Sequence, residues 1–249
     1  MNTKPTALLI SFLLAGALSA QDNLENKAKK AKKKRVPAAM KPVKDTPGLP
    51  RGLLIGDSIS IGYTVGVREL LLGKANVHRP LTNCGPTTKG VKELDKWLGD
   101  KPWDVIHFNF GLHDLKYLGP RGQNLADPKG EGSHQQVPLA DYEKHLKTMV
   151  ARLEKTGARL IWRSTTPVPP GARGRVVGDS AKYNKVAAKI MKERKIAIDD
   201  MYSFCMPRLK EIIRPANVHF TPAGSKALAQ QAVTAITAAL KRRAKSSGR

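Results

Sequence analysis

Cysteine is nearly absent, with Cys84 and Cys205 the only two in 249 residues. No histidine cluster stands beside them, which argues against a structural zinc site, since that needs several N or S ligands at close spacing. No apolar run reaches the roughly 20 residues that span a bilayer; the stretch from Ala7 to Leu18 is too short. Aromatic residues are scarce at 5%. Acidic residues are also few, 20 against 44 Lys and Arg, for a net charge of +24. Such an excess suits nucleic-acid binding, but its distribution matters more than its total. Nine of the charges (Lys27, Lys29, Lys30, Lys32, Lys33, Lys34, Arg35, Lys41 and Lys44) precede residue 50, and five (Lys241, Arg242, Arg243, Lys245 and Arg249) follow residue 240. Charge piled at the two ends does not point to a specific nucleic-acid site.

What is present at the N-terminus is Lys4, the apolar run, then small residues at Ala17, Ser19 and Ala20. That is the layout of a secretory signal peptide over residues 1–20, and it predicts a secreted or periplasmic protein. No Cys lies near the cleavage point, which argues against a lipid anchor. Residues 21–50 are basic, Pro-bearing and poor in large apolar side chains, and read as a disordered linker. This segment and the basic tail, residues 241–249, are either solvated or an electrostatic contact for an anionic polymer or membrane surface. In an oxidising compartment Cys84 and Cys205 either pair or remain two separate buried thiols.

Residues 51–240 form one domain, long enough to bury most of their apolar surface. Short apolar runs alternate with amphipathic stretches, the rhythm of a parallel sheet covered on both faces by helices. Strands are expected over 52–55, 77–81, 105–110, 159–164 and 196–198. Helices are expected over 89–98, 182–193 and 226–240, and where Leu139, Tyr142, Leu146, Met149, Val150 and Leu153 recur at helical spacing ahead of Gly157. Thr221-Pro222 reads as the start of the last helix, a capping hydroxyl followed by the position that tolerates Pro. The fold expected is α/β, a three-layer α/β/α sandwich around a flavodoxin-like five-stranded parallel sheet, with ligands beyond the carboxyl ends of the strands. Residues 118–138, long and rich in Gly and Pro, are expected to be a functional loop or lid.

Leu54-Ile55-Gly56-Asp57-Ser58 runs from an apolar strand into a turn and then a helix. Alone, Asp57 and Ser58 would read as helix caps. With Asn83-Cys84-Gly85 after the second strand, Gly111-Leu112-His113-Asp114 after the third and Val218-His219-Phe220 near the end, the sequence resembles the SGNH hydrolases, also called GDSL-like esterases and lipases. The resemblance spans residues 52–240, with its blocks in order. It implies a serine esterase without metal or organic cofactor, in which Ser58 attacks the acyl carbon and His219 takes its proton. It implies an oxyanion hole from the Ser58 N–H, a second-block N–H placed near Gly85, and a third-block side chain.

Two departures bear on that site. His113 stands where the family usually has Asn; a neutral imidazole carries one N–H and can donate the same bond. Asn109 is a weaker substitute. The acid that usually lies three residues before the catalytic His is replaced by Ala216, so that Asn217, a backbone carbonyl or a carboxylate from elsewhere must orient His219. His78, His107, His134 and His145 lack metal-ligand spacing, Asp199-Asp200 reads as a cap, and Tyr183-Asn184 as a helix face. A polar Gly-rich loop and few aromatics favour a small acyl group on a saccharide, so an O-acetylesterase is expected. A lysophospholipase-like or lipase-like esterase and a weakly catalytic saccharide- or polyanion-binding protein are the alternatives.

Overall fold

A computed structural model of the chain describes residues 36–247, with side chains described through Lys241. The expected leader, the lysine run of residues 27–35 and most of the basic tail's side chains lie outside these residues. Five parallel strands make the main sheet: β1 (Arg51–Ile55), β2 (Asn76–His78), β3 (Val105–Phe108), β6 (Arg159–Arg163) and β7 (Ala197–Asp199), in the order β2-β1-β3-β6-β7. Between β3 and β6 a two-stranded antiparallel ribbon pairs β4 (Tyr117–Leu118) with β5 (His134–Gln135).

The helices follow the apolar periodicity. In α3 (Leu139–Glu154) the buried side chains are Tyr142, Leu146, Met149, Val150 and Leu153. With α2 (Thr87–Leu98) and α4 (Asp179–Glu193) it covers one face of the sheet, while α1 (Ser58–Leu70) and α7 (Pro222–Ser247) pack together on the other. Two short helices, α5 (Met201–Cys205) and α6 (Leu209–Ile212), connect β7 to α7. Leu53, Leu54, Ile55, Val105, Ile106, Phe108, Ile161 and Trp162 are the sheet's share of the core, all at most 2% exposed. Burying each such side chain contributes about 1.5–3 kcal/mol. At Gly66 a Cβ would lie 3.0 Å from the Ala229 Cβ, so α1 and α7 approach closely there.

Two expectations need correction, and one left open is decided. Residues 36–50 do not form a free tether throughout. Ala39 is buried, Arg68 donates to the Ala38 and Lys41 carbonyls, Asn76 exchanges hydrogen bonds with Thr46, and Asp45 pairs with Arg51 and His78. The domain thus supplies partners for backbone groups that composition alone leaves to water. At the other end α7 continues through Ser247 rather than stopping near residue 240, because the basic residues following Leu240 are good helix formers. Cys84 and Cys205 are separate buried thiols, pushed up by burial to about 11 and about 12.

Candidate active site

The site lies beyond the carboxyl ends of β1 and β3, where the doubly wound sheet opens a crevice. β1 ends at Ile55, Gly56 makes the turn, and Asp57 caps α1 by accepting the Ile59 N–H at 3.0 Å. Ser58 therefore opens the helix, and its N–H is one of those with no partner inside it. The helix N-terminus adds partial positive charge at the place where a tetrahedral oxyanion would form.

His219 arrives from the far end of the chain. The segment before α7 is held by an Ile213–Phe220 bridge and by the Arg214 N–H, which donates to the His219 carbonyl at 2.9 Å. Thr221 caps α7 by accepting the Gly224 N–H at 3.0 Å, ahead of Pro222. This places His219 Nε2 2.8 Å from Ser58 Oγ, between residues 161 positions apart. On the other side of the ring, Nδ1 lies 2.8 Å from Asn217 Oδ1, which also accepts the His219 backbone N–H at 3.0 Å. With Nδ1–H donating to Asn217, Nε2 is left as the acceptor for the serine proton. Among the described residues no carboxylate bonds to His219, and Ala216, in the left-handed region at φ +50°, is exposed. The orienting contact is thus a neutral amide. Burial, followed by Arg175 and Arg214 against the opposing pull of Asp57, holds His219 below the ordinary imidazole range. It is therefore neutral, and able to act as a base, at pH 7 and somewhat below.

The third-block loop is built around Gly111. Its φ is +155°, and a Cβ there would sit 2.1 Å from Thr165 Oγ1, so only glycine lets the loop pass. Next to it His113 is half-buried, and no protein group hydrogen-bonds its ring among the described residues. Burial lowers its pKa; Asp57 opposes this, while Lys116, Arg175 and His219 add to it, so the ring is neutral at pH 7 and carries one N–H. The loop is locked to α2 by buried Asp114, which accepts both the backbone N–H (2.7 Å) and the hydroxyl of Thr87. Burial raises that carboxyl to about 7.

Three residues do not fit the oxyanion role. The Gly85 N–H already donates to Asn83 Oδ1 at 3.0 Å; Gly85, at φ +64°, shapes a turn instead. Thr87, two residues on, gives its N–H to Asp114. Asn109 is 1% exposed and bonded to Arg163 through both ends of its amide, so it belongs to the core. Ser58 N–H and His113 remain as candidate donors.

Of the residues read as bland, Asp200 does cap α5 through the Ser203 N–H, but Asp199 pairs with buried His107 and accepts from Gln231. Tyr183 is buried, its hydroxyl on the Val137 carbonyl, and Asn184 holds Thr165 through two bonds. Among the described residues no group of His, Cys, Asp and Glu could hold a metal ion.

Three residues around the site were missed by sequence reading. Arg79, 5% exposed, reaches behind the nucleophile turn to the Gly56 carbonyl and to the Ser60 and Thr64 hydroxyls. Arg175 donates from Nε to the Leu112 carbonyl at 3.2 Å. Lys116, half-buried, stands three residues after His113. No motif signals a single basic residue in a loop, so only the fold reveals them. The long loop is an ordered excursion: its β4 end is tied to a second loop by the Tyr117 N–H, which donates to the Gly174 carbonyl at 2.8 Å.

Comparison with solved structures finds the same fold at low identity. An acetyl xylan esterase, AlAXEase, superposes with a TM-score of 0.60 at 14% identity over 75% of this chain and 99% of its own. A lipase/acylhydrolase from Enterococcus faecalis gives 0.60 at 19% identity, over 75% and 94% of the two chains. Axe2, an acetylxylan esterase from Geobacillus stearothermophilus, gives 0.58 at 17% identity over the same shares. No curated protein sequence matches. The GDSL-like Lipase/Acylhydrolase family model matches residues 54–227, a span that takes in the Ser58 turn, the His113 loop and His219. The chain therefore belongs to the GDSL-like lipase/acylhydrolase (SGNH hydrolase) family and is a carboxylic ester hydrolase.

Proposed function

We propose that this esterase is exported and removes O-acetyl groups from an extracellular saccharide by Ser-His acyl-enzyme chemistry. The carrying observation is the Ser58 Oγ to His219 Nε2 to Asn217 hydrogen-bonded line. Ser58 Oγ attacks the acyl carbon as His219 Nε2 takes its proton, and the carbonyl oxygen becomes an oxyanion facing the Ser58 N–H and the His113 ring N–H. Collapse expels the sugar hydroxyl, which receives the proton from His219. Water, deprotonated by the same imidazole, then releases acetate and restores Ser58. Asn217 keeps the ring in the tautomer this sequence requires.

The acetyl preference is supported by the polar, Gly-rich 118–138 excursion and by the acetylxylan substrates named for two of the structural neighbours. Export is supported by the leader pattern of residues 1–20. A series of 4-nitrophenyl esters of increasing chain length tests the acyl group: kcat/KM should be greatest for acetate, with acetate also released from acetylated oligosaccharides. A maximum at long chains would replace this reading with a lipase-like one.

His113 can be tested separately. His113→Asn should retain activity within a few-fold, whereas His113→Ala should lose about 10²-fold in kcat, the worth of one oxyanion donor. Equal activity in the two variants would remove His113 from the hole.

A further inference from the structure

Positive charge collects around the Ser58 and His219 pair with no carboxylate in ion-pair contact among the described residues; buried Asp57 and Asp114 offset it only through space. The Tyr117–Gly174 backbone hydrogen bond lays Lys116 beside Arg175, and Arg175 Nε is fixed on the Leu112 carbonyl, next to His113. Arg214 is brought up on the other side by its backbone bond to His219. Lys116 and Arg175 are both half-buried, yet neither they nor Arg214 form an ion pair among the described residues. The nearby acids are otherwise engaged: Asp57 is buried on the Ile59 N–H and Asp114 on Thr87. Burial and then Arg175 lower the pKa of Lys116, so the two cations press on one another. Arg173 and Arg175 continue onto the wall of an open cleft of about 490 Å³ whose one carboxylate, Asp127, accepts the Lys129 N–H. Away from the basic ends, residues 51–240 still hold 29 Lys and Arg against 17 Asp and Glu.

Half-buried like charges held side by side raise the free energy of the unliganded site, and an anion seated between them relieves it. Arginine's planar fork suits a carboxylate or sulfate in particular. We propose that Arg175 and Lys116, flanked by Arg214, bind an anionic group on the sugar that carries the ester or on its neighbour, making the enzyme selective for acetylated acidic saccharides. This rests on the esterase reading above. It makes the two cations determinants of specificity, binding a part of the substrate that does not react.

Acetate release by the full chain from an O-acetylated oligogalacturonate is compared with release from the same oligosaccharide after its carboxylates are converted to primary amides, and from a sulfated acetylated oligosaccharide. The expected result is a kcat/KM at least tenfold higher for a charged form than for the amide at low salt, narrowing at about 1 M salt as screening sets in. Whether carboxylate or sulfate gives the higher value identifies the anion. Arg175→Gln and Lys116→Gln should each lower the charged-to-amide ratio by about tenfold, chiefly through KM. The wild-type comparison stands by itself should either variant fail to fold. Equal rates on charged and amidated forms would overturn the proposal and leave the esterase reading in place. Turnover of 4-nitrophenyl acetate with no acetate from any saccharide would overturn both this proposal and the saccharide substrate proposed above, leaving an ester hydrolase of another substrate. No turnover of any ester, 4-nitrophenyl acetate included, would instead sink the reading beneath it.

Discussion

Ser58→Ala and His219→Ala are each expected to lower kcat/KM by about 10⁴-fold or more, because a nucleophile and its base act as one unit and removing either disables both. That is a loss of roughly 5.5 kcal/mol or more of transition-state stabilisation. The fold should survive both changes. Asp57, not Ser58, caps α1, and the backbone of His219 is held by Asn217 and Arg214 whatever its side chain. Intact-mass spectrometry after exposure to a serine-directed fluorophosphonate checks the pair directly. One adduct mapping to Ser58 in the wild type, and none in His219→Ala, is the expected pattern. Undiminished turnover in either variant, or an adduct on another serine, would take the chemistry away from this site.

The second large effect concerns Asn217, whose amide oxygen is the sole side-chain partner of His219 Nδ1 among the described residues. Asn217→Ala should cost about 10- to 100-fold in kcat, since the ring loses the contact that fixes its tautomer. Asn217→Asp should do the opposite at alkaline pH by stabilising the imidazolium that forms as Ser58 attacks. The sign of the pH effect follows. A negative charge at Nδ1 favours the protonated ring, so the pKa of His219, held low in the wild type, rises. The acid limb of kcat/KM, expected below pH 6.5 for the wild type, should move upward in Asn217→Asp. Activity near pH 5.5 would then fall relative to that near pH 8. Superimposable profiles for wild type, Ala and Asp variants would mean that Asn217 does not orient the base.

Much of this was readable from the chain because the sheet's interior strands are mostly apolar runs and α3 carries apolar residues at helical spacing. Limits of the reading have local causes. β2 stops at His78 rather than running to residue 81 because Pro80 lacks the N–H for a ladder and Arg79 turns in to brace Gly56. β3 ends at Phe108, one residue beyond which the Asn109 N–H makes the last bond to β1, on the Ile55 carbonyl, before the chain turns away at Gly111. The β4–β5 ribbon has two residues per strand, too few for any periodicity. At the site, Ser58 and His219 stood out because they sit in motifs at strand or helix ends. Gly85 reads in the sequence as an oxyanion donor, and the Asn83 side-chain oxygen that accepts its N–H was not legible there. Lys116 and Arg175 gain meaning only from a backbone hydrogen bond between residues 57 positions apart in the chain, Tyr117 and Gly174.

The close approach of α1 and α7 at Gly66 and Ala229 also governs when the enzyme becomes active. Ser58 opens the first of these helices and His219 lies just ahead of the second, so their spacing is set by how the two helices dock. The residues of β1, α1 and the whole sheet all precede the base in the chain. Until the last helix docks against the first, the serine lacks the base that would activate it.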